Sequence, residues 1–189
     1  YRLFNYGGTL SGPGLTLGSM PTGSDVIVSP SIAGQVNLIN QAGLSLNVWD
    51  GPAGGRGDGQ ITGGPGVWQV GGGARDWATV DGSLNDDYTN GSFAVFMGQP
   101  GTVTIDNSTG AVHAAGLQFA TSGYVLAGDA LTLDGTSAII RVGTGAAGGA
   151  SHVATIEAEL SGSAALEKAD LGTLILTGAN SYTGETRVS

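Results

Sequence analysis

Six apolar residues, Ile105, Val112, Phe119, Leu126, Leu133 and Ile140, recur at intervals of seven without a miss. Two positions before five of them stand Val103, Leu117, Tyr124, Leu131 and Ala138, and Gly110 fills the remaining place. Residues at i and i+2 of a strand face the same way. A step of seven also fits a coiled coil. Here, however, nearly every heptad holds Gly and most hold Asp, Asn, Ser or Thr, so helix propensity would be lost several times over. The spacing instead predicts one strand and one turn per seven residues, hence roughly 21 residues per three-sided coil of a stacked β solenoid. Each inward pair would then lie over an equivalent pair one coil away, and the whole chain would make about eight coils.

Composition narrows the alternatives. Gly accounts for 36 of 189 residues and Pro for only 6, with no Gly-X-Y period, so collagen is excluded. Hydrophobic residues make up 40% and charged residues 11%, unlike a charge-rich disordered chain. Apolar bursts separated by Gly, Ser, Asn, Asp and Thr read as an all-β chain of short strands and tight turns. Six Lys+Arg against 15 Asp+Glu give a net charge of −9. No basic cluster is present to neutralise phosphates, so no nucleic-acid partner is expected. With no cysteine there are neither disulfides nor thiolate metal sites. Tyr1-Arg2-Leu3 lacks the basic and apolar regions of a signal peptide, and no run of about 18 apolar residues appears. If the chain is exported, its signal and its anchor are expected outside this stretch.

Three blocks follow from the pattern. Residues 1–40 are expected to be β-helix coils, with strands at Tyr1–Tyr6, Leu15–Leu17, Asp25–Ser29 and Gln35–Ile39 between Gly- and Pro-rich turns. Residues 41–92 break the rhythm and read as an insertion or a set of loop-rich coils, with two-thirds of their residues outside strands. A second arrangement joins two solenoid segments flexibly near Gly51 to Gly64. Residues 93–189 are expected to be regular coils, interrupted by the Gly/Ala loop Gly143–Ala150.

The run Asp170–Ser189 contains two short strands, Thr173–Leu176 and Thr186–Val188. Leu174 and Leu176 fall on one face and Thr173, Ile175 and Thr177 on the other. Gly178-Ala179-Asn180 and Thr183-Gly184 are turn residues, since Gly and Asn tolerate positive φ. This run closely resembles the passenger-associated repeat of bacterial autotransporters, GTLxLTGxNxYTGxTxV. Gly172, Thr173, Leu174, Leu176, Thr177, Gly178, Asn180, Tyr182, Thr183, Gly184, Thr186 and Val188 all match. The first block also resembles segments of long autotransporter adhesins, where YxLFxYxGxLSG leads into GxVNL. The resemblance implies a right-handed parallel β-helix with about three strands per coil, free of disulfides and exported across the outer membrane. It implies a segment of a longer extracellular passenger, held at the outer membrane only through a C-terminal β-barrel outside this stretch.

Candidate sites concentrate in residues 50–92. Arg56-Gly57-Asp58 is the tripeptide that integrins read, set in a Gly-rich loop between Pro52 and Pro65. Gly-rich turns also attract Arg and Asp for solvation alone. Trp49, Trp68, Trp77 and Tyr88 offer ring faces for a glycan; the competing reading is that they cap the hydrophobic interior where a loop folds over a coil. Asp76, Asp81, Asn85, Asp86 and Asp87 are oxygen ligands of the kind Ca²⁺ takes, but their spacing matches neither an EF-hand nor the Gly-Gly-x-Gly-x-Asp calcium repeat, and a solvated acidic loop is the better reading. Taken together, Arg56, Gly57, Asp58, Trp68, Trp77, Asp86 and Asp87 are the expected binding residues. No catalytic residue, metal or cofactor is expected. His113 and His152 are the only histidines, and no nucleophile elbow or metalloprotease helix appears.

The expected function is attachment. A stiff extracellular stalk would present loops to a host cell-surface or matrix protein, integrin- or fibronectin-like, or to a glycan, with self-association as a further option. Two other readings stand beside it. One is a pure spacer. The other is a polysaccharide-acting β-helix enzyme, which would need Asp and Arg lining a groove along one side.

Overall fold

A computed structural model describes residues 2–9, 15, 18, 26–29, 35–40 and 46–189. They fall into two units, Tyr1–Ser45 and Leu46–Ser189.

In the first unit, β1 (Arg2–Asn5), β2 (Val26–Ser29) and β3 (Gln35–Asn40) form a three-stranded sheet in the order β1-β3-β2. Both pairings are antiparallel, with Ile27 opposite Ile39 and Phe4 opposite Val36. This departs from the parallel coils expected over residues 1–40. The reason is local: only five residues separate β2 from β3. Neighbouring strands joined by so short a connection pair antiparallel, whereas parallel pairing needs a crossover of a dozen residues or more. Of the strand expected at Leu15–Leu17, only Leu15 is among the described residues, and it is in no strand.

The second unit is the solenoid. It opens with β4 (Leu46–Trp49), β5 (Gly66–Trp68), β6 (Trp77–Ala78) and β7 (Asn85–Asp86). Three coils then carry a strand on each of three sides. They are β8 (Phe93–Phe96), β9 (Thr102–Ile105) and β10 (Val112–Ala114); β11 (Gly116–Phe119), β12 (Val125–Gly128) and β13 (Leu131–Leu133); and β14 (Ser137–Val142), β15 (Val153–Ile156) and β16 (Leu160–Gly162). β17 (Ala165–Ala169), β18 (Thr173–Leu176) and β19 (Thr186–Val188) continue the stack. The first side runs β19-β17-β14-β11-β8-β4, the second β18-β15-β12-β9-β5 and the third β16-β13-β10. Every pairing within these three runs is parallel. The architecture is that of a parallel β-helix, consistent with the right-handed crossover that parallel strands take.

Register recovers the spacing read from the sequence. Thr102 pairs with Val125 and Val112 with Leu131, offsets of 23 and 19 that bracket the expected 21. Val125 pairs with Thr155, an offset of 30, because the loop after Val142, with a short 3-10 turn at Ala147–Ser151, lengthens that coil. Both members of five of the six ladder pairs are buried, from Val103 and Ile105 through Ala138 and Ile140; in the sixth Val112 is buried and Gly110 half-buried. Val103, Leu126, Ile156 and Leu176 form one column in register across four coils. Phe96 and Phe119 stack with centroids 5.2 Å apart.

The last coil shows what its motif residues do. β18 and β19 have the bounds the sequence predicts, with Leu174 and Leu176 half-buried and Thr173 and Ile175 exposed. Asn180 accepts a hydrogen bond from the Leu160 amide in the preceding coil at 2.9 Å. Tyr182 packs against the core, and its hydroxyl meets Thr186 Oγ1 at 2.7 Å. Gly178 and Gly184 do not adopt positive φ, contrary to the turn reading. A Cβ on Gly178 would collide with the Ala158 carbonyl, and one on Gly184 with the Ala164 carbonyl. These glycines let one coil settle on the backbone of the next.

Candidate functional site

The irregular block 46–92 is a coil with long loops, not an insertion. β4 pairs in parallel with β8 and β5 with β9, so both sides belong to the stack. Gly51 to Gly64 lies within the second unit, and the boundary between units falls at Ser45. What ends the regular pattern is a cap. β6 pairs antiparallel with the free edge of β4, and β7 antiparallel with β6. This covers an edge that would otherwise present unpaired backbone groups. On the third side the loop before β8 does the same for β10. Gly91 N donates to the His113 carbonyl at 3.1 Å, and Asn90 accepts from His113 N at 3.0 Å.

Aromatic rings fill the space under the cap. Trp77 lies 5.2 Å from Trp49, 4.9 Å from Trp68 and 4.7 Å from Tyr88, centroid to centroid. Phe96 joins them at 5.7 Å from both Trp68 and Trp77. Trp49 and Trp68 are fully buried, and Trp77 and Tyr88 are each 3% exposed. Trp68 and Trp77 therefore have no free ring face for a glycan to stack on. The capping alternative is the correct one for these rings. Trp49 Nε1 donates to the Gly64 carbonyl at 2.8 Å, whereas Trp68 Nε1 is buried without a partner. The Tyr88 hydroxyl donates to the carbonyls of Ser92 and His113 at 2.8 and 2.9 Å. Burial, with the Asp134 carboxylate nearby, pushes its pKa well above the ordinary phenol value.

The expected Arg-Gly-Asp site is part of this cap. The Arg56 guanidinium pairs with Asp76 Oδ1 at 3.0 Å and also donates to the Arg75 carbonyl at 3.2 Å and to the Ala74 carbonyl. Gly57 N donates to Asn85 Oδ1 at 2.7 Å. Asp58 is exposed and turns back to accept from Gln60 N at 2.9 Å. The tripeptide is on the surface, but its cation is already committed within the chain. An integrin-type contact through Arg56 would first have to release Asp76.

The acidic residues are likewise spread among separate tasks. Asp50, 1% exposed, accepts from Thr62 N at 2.7 Å and from Asn85 Nδ2 at 2.9 Å. Asp81 closes its own turn with Thr79 and Ser83, and those hydrogen bonds, the Thr79 hydroxyl first, lower its pKa. Asp87 accepts from Gly73 N at 2.9 Å and Arg75 N at 3.1 Å. Asp86 is exposed and accepts from Asp87 N at 2.8 Å. Among the described residues, no group of three or more His, Asp and Glu is placed to hold a metal ion. His113 pairs with Asp134 at 3.0 Å on the third side, away from any nucleophile motif. The strands of the second side carry no charged residue, and their exposed positions are Val67, Thr102, Thr104, Gly128, Val153, Thr173 and Ile175. That is a smooth wall, not an Asp- and Arg-lined groove. Sequence reasoning missed Arg75, whose backbone takes a left-handed φ of 54°. Its only signal was the surrounding Gly-rich run.

Comparison with known proteins agrees with this architecture. Residues 166–189 match the passenger-associated-transport-repeat family. Over 196 aligned residues the chain is 48% identical to the adhesin BmaC autotransporter of Brucella suis biovar 1 (strain 1330). That alignment covers 100% of this chain and 6% of the relative, so the chain spans a small part of that protein's length. No solved structure matches. The chain is thus a β-helix that is similar along its whole length to a small part of an autotransporter adhesin and whose residues 166–189 match a passenger-associated transport repeat.

Proposed function

We propose that this segment is both a stalk and an adhesive surface. It is displayed outside the cell, anchored at the outer membrane through other parts of a longer protein, and it attaches to host cell-surface or matrix components through the loops of residues 50–92. One observation carries the reading: the longest connection between the described strands of the solenoid, residues 50–65 between β4 and β5, lies at its capped end, whereas most turns of the coils that follow are short, 143–152 and 177–185 excepted. Loops on a rigid scaffold are where binding residues concentrate.

The test is attachment of the 189-residue chain to host cells, immobilised matrix proteins, integrins and glycans, beside Asp58→Glu and a variant with the loop tip 54–60 replaced by a Gly/Ser linker. Saturable attachment lost on loop replacement is the expected result. Loss in Asp58→Glu as well would make the tripeptide the contact despite the Arg56–Asp76 pair. Attachment by none of the proteins would refute the adhesive reading and leave a spacer.

A further inference from the structure

The second side differs from the other two in what it turns outward. Strands of the first side carry Arg141, Glu167 and Arg187, and a strand of the third carries His113. On the second side the outward residues of β5, β9, β12, β15 and β18 are all Val, Thr, Ala or Ile. Thr102, Val125, Thr155 and Ile175 stand in one outward column, in register across four coils. Val67 lies beside Thr104, and Thr104 beside Ala127, in a second column. Val67 is 46% exposed and Ile175 42%. Five strands about 4.8 Å apart, with three or four residues of ~3.3 Å rise in each, make a flat patch of about 300 Å².

The two edges of this patch are unlike. In the coils from β8 onward, the turns that lead from the second side to the third carry Asp106, Asp129, Glu157 and Glu159. Among the described residues none of these four pairs with a cation. The turns that lead from the first side to the second, residues 97–101, 120–124, 143–152 and 170–172, hold one carboxylate, Asp170. Its side chain is 4% exposed and paired with Arg141. One edge is therefore a row of unpaired negative charge, and the other is close to neutral.

We propose that the second side docks on the second side of another copy of this chain, with the two solenoids side by side and parallel. Two copies of a chain with net charge −9 repel each other, and an uncharged face is where they meet at least cost. The unlike edges then choose the orientation. A two-fold axis along the solenoid sets the acidic edge of each copy against the neutral edge of its partner. A two-fold axis across the solenoid sets acid against acid. A patch of about 300 Å² is well under the ~800 Å² per partner of a standard interface, so the contact is weak and reversible. Copies anchored to one surface at corresponding ends are held parallel, and close display would supply the effective concentration that so small a patch needs. The inference goes beyond the attachment proposed above and does not depend on it.

The test is sedimentation equilibrium of the 189-residue chain, beside Thr104→Glu and Ser137→Glu. The unmodified chain should dimerise with a dissociation constant of roughly 0.1–1 mM, tightened by added salt, which screens the net repulsion. Thr104→Glu places a carboxylate within the patch of each copy and should weaken dimerisation by about tenfold or more. Ser137→Glu adds the same charge at an exposed position of the first side and should leave it unchanged. Circular dichroism checks that each variant folds, and Thr173→Glu repeats the test at the far end of the patch. Orientation is read by cross-linking, because the chain has no cysteine of its own. Val67→Cys and Ile175→Cys mark the first and last strands of the patch. A short bismaleimide should join each variant to itself and yield few mixed dimers when the two are combined. Monomers at every concentration, equal dimerisation by folded Thr104→Glu and Thr173→Glu, an equal loss in Ser137→Glu, or an excess of mixed dimers would each overturn the proposal.

Discussion

Arg56→Ala tests whether Arg56 belongs to the scaffold or to an adhesive motif. The Asp76 side chain is 8% exposed and Arg56 is 52% exposed. Stripping the partner from a fully buried pair costs about 3–5 kcal/mol, whereas an exposed pair is worth under about 1 kcal/mol. The half-exposed guanidinium places this pair between those limits. The substitution also orphans two carbonyls, those of Ala74 and Arg75, that nevertheless stay near water. A loss of about 2–3 kcal/mol is expected for the cap. Asp58→Ala removes one exposed hydrogen bond, from Gln60 N, and should cost no more than ~0.5–1 kcal/mol. The chain supplies its own local probe, because all three tryptophans lie under the cap. Urea unfolding followed by tryptophan emission reports the cap, while far-ultraviolet circular dichroism reports every strand. In Arg56→Ala the emission midpoint should fall by roughly 1 M and precede the dichroism midpoint. The added substitution Asp76→Asn should recover part of the loss, since it removes the charge left unpaired. An emission midpoint within ~0.2 M of the unmodified chain, or equal damage from Asp58→Ala, would refute the latch.

Leu126→Ala removes a fully buried side chain from the middle of the Val103–Leu126–Ile156–Leu176 column. It should cost about 3–4 kcal/mol and lower the dichroism midpoint, whereas Thr104→Ala on the exposed face of the same sheet should stay within ~0.5 kcal/mol. Stability should also fall in alkali. Burial pushes the Tyr124 pKa up to about 12, and Tyr88 is raised further by burial and by Asp134. A pKa raised on folding gives stabilisation that is complete below the unfolded value near 10 and is lost as pH rises through the folded value. Tyrosinate absorbance from Tyr88 and Tyr124 should therefore appear only with loss of dichroism. Their ionisation near pH 10 with native dichroism retained would contradict the burial assigned to them.

The ladder from Val103 to Ile140 was legible because each side of a solenoid meets the same demand. One or two apolar residues must point inward every time the chain comes round, and the backbone hydrogen bonds run to neighbouring coils whatever the outward residues are. A periodic requirement leaves a periodic trace. The turn residues of the last coil were legible as residues but not as mechanics. Gly178 and Gly184 read as positive-φ turns, yet what they answer is a carbonyl of the preceding coil, a contact that lies about 20 residues away in sequence. The capped end could not be read the same way, because a cap occurs once. Its bonds join Arg56 to Asp76, Asp50 to Thr62 and Asn85, and Asp87 to Gly73 and Arg75, at unrelated separations. Local inspection of such a block finds Trp, Asp and an Arg-Gly-Asp tripeptide at a surface composition and assigns them outward. The same residue types are also what a cap needs: large rings to fill the open end, and side-chain acceptors to satisfy loop amides that have no strand beside them. The antiparallel sheet of the first unit escaped for a related reason. Val26–Ser29 and Gln35–Asn40 have the strand composition of a coil, and only the five-residue gap between them distinguishes a hairpin partner from a solenoid neighbour. Where the sequence repeats, then, spacing identifies the fold; where it does not, the partners of each charged group decide whether a residue faces the ligand or the scaffold. By that criterion Arg56, paired with Asp76, belongs to the scaffold.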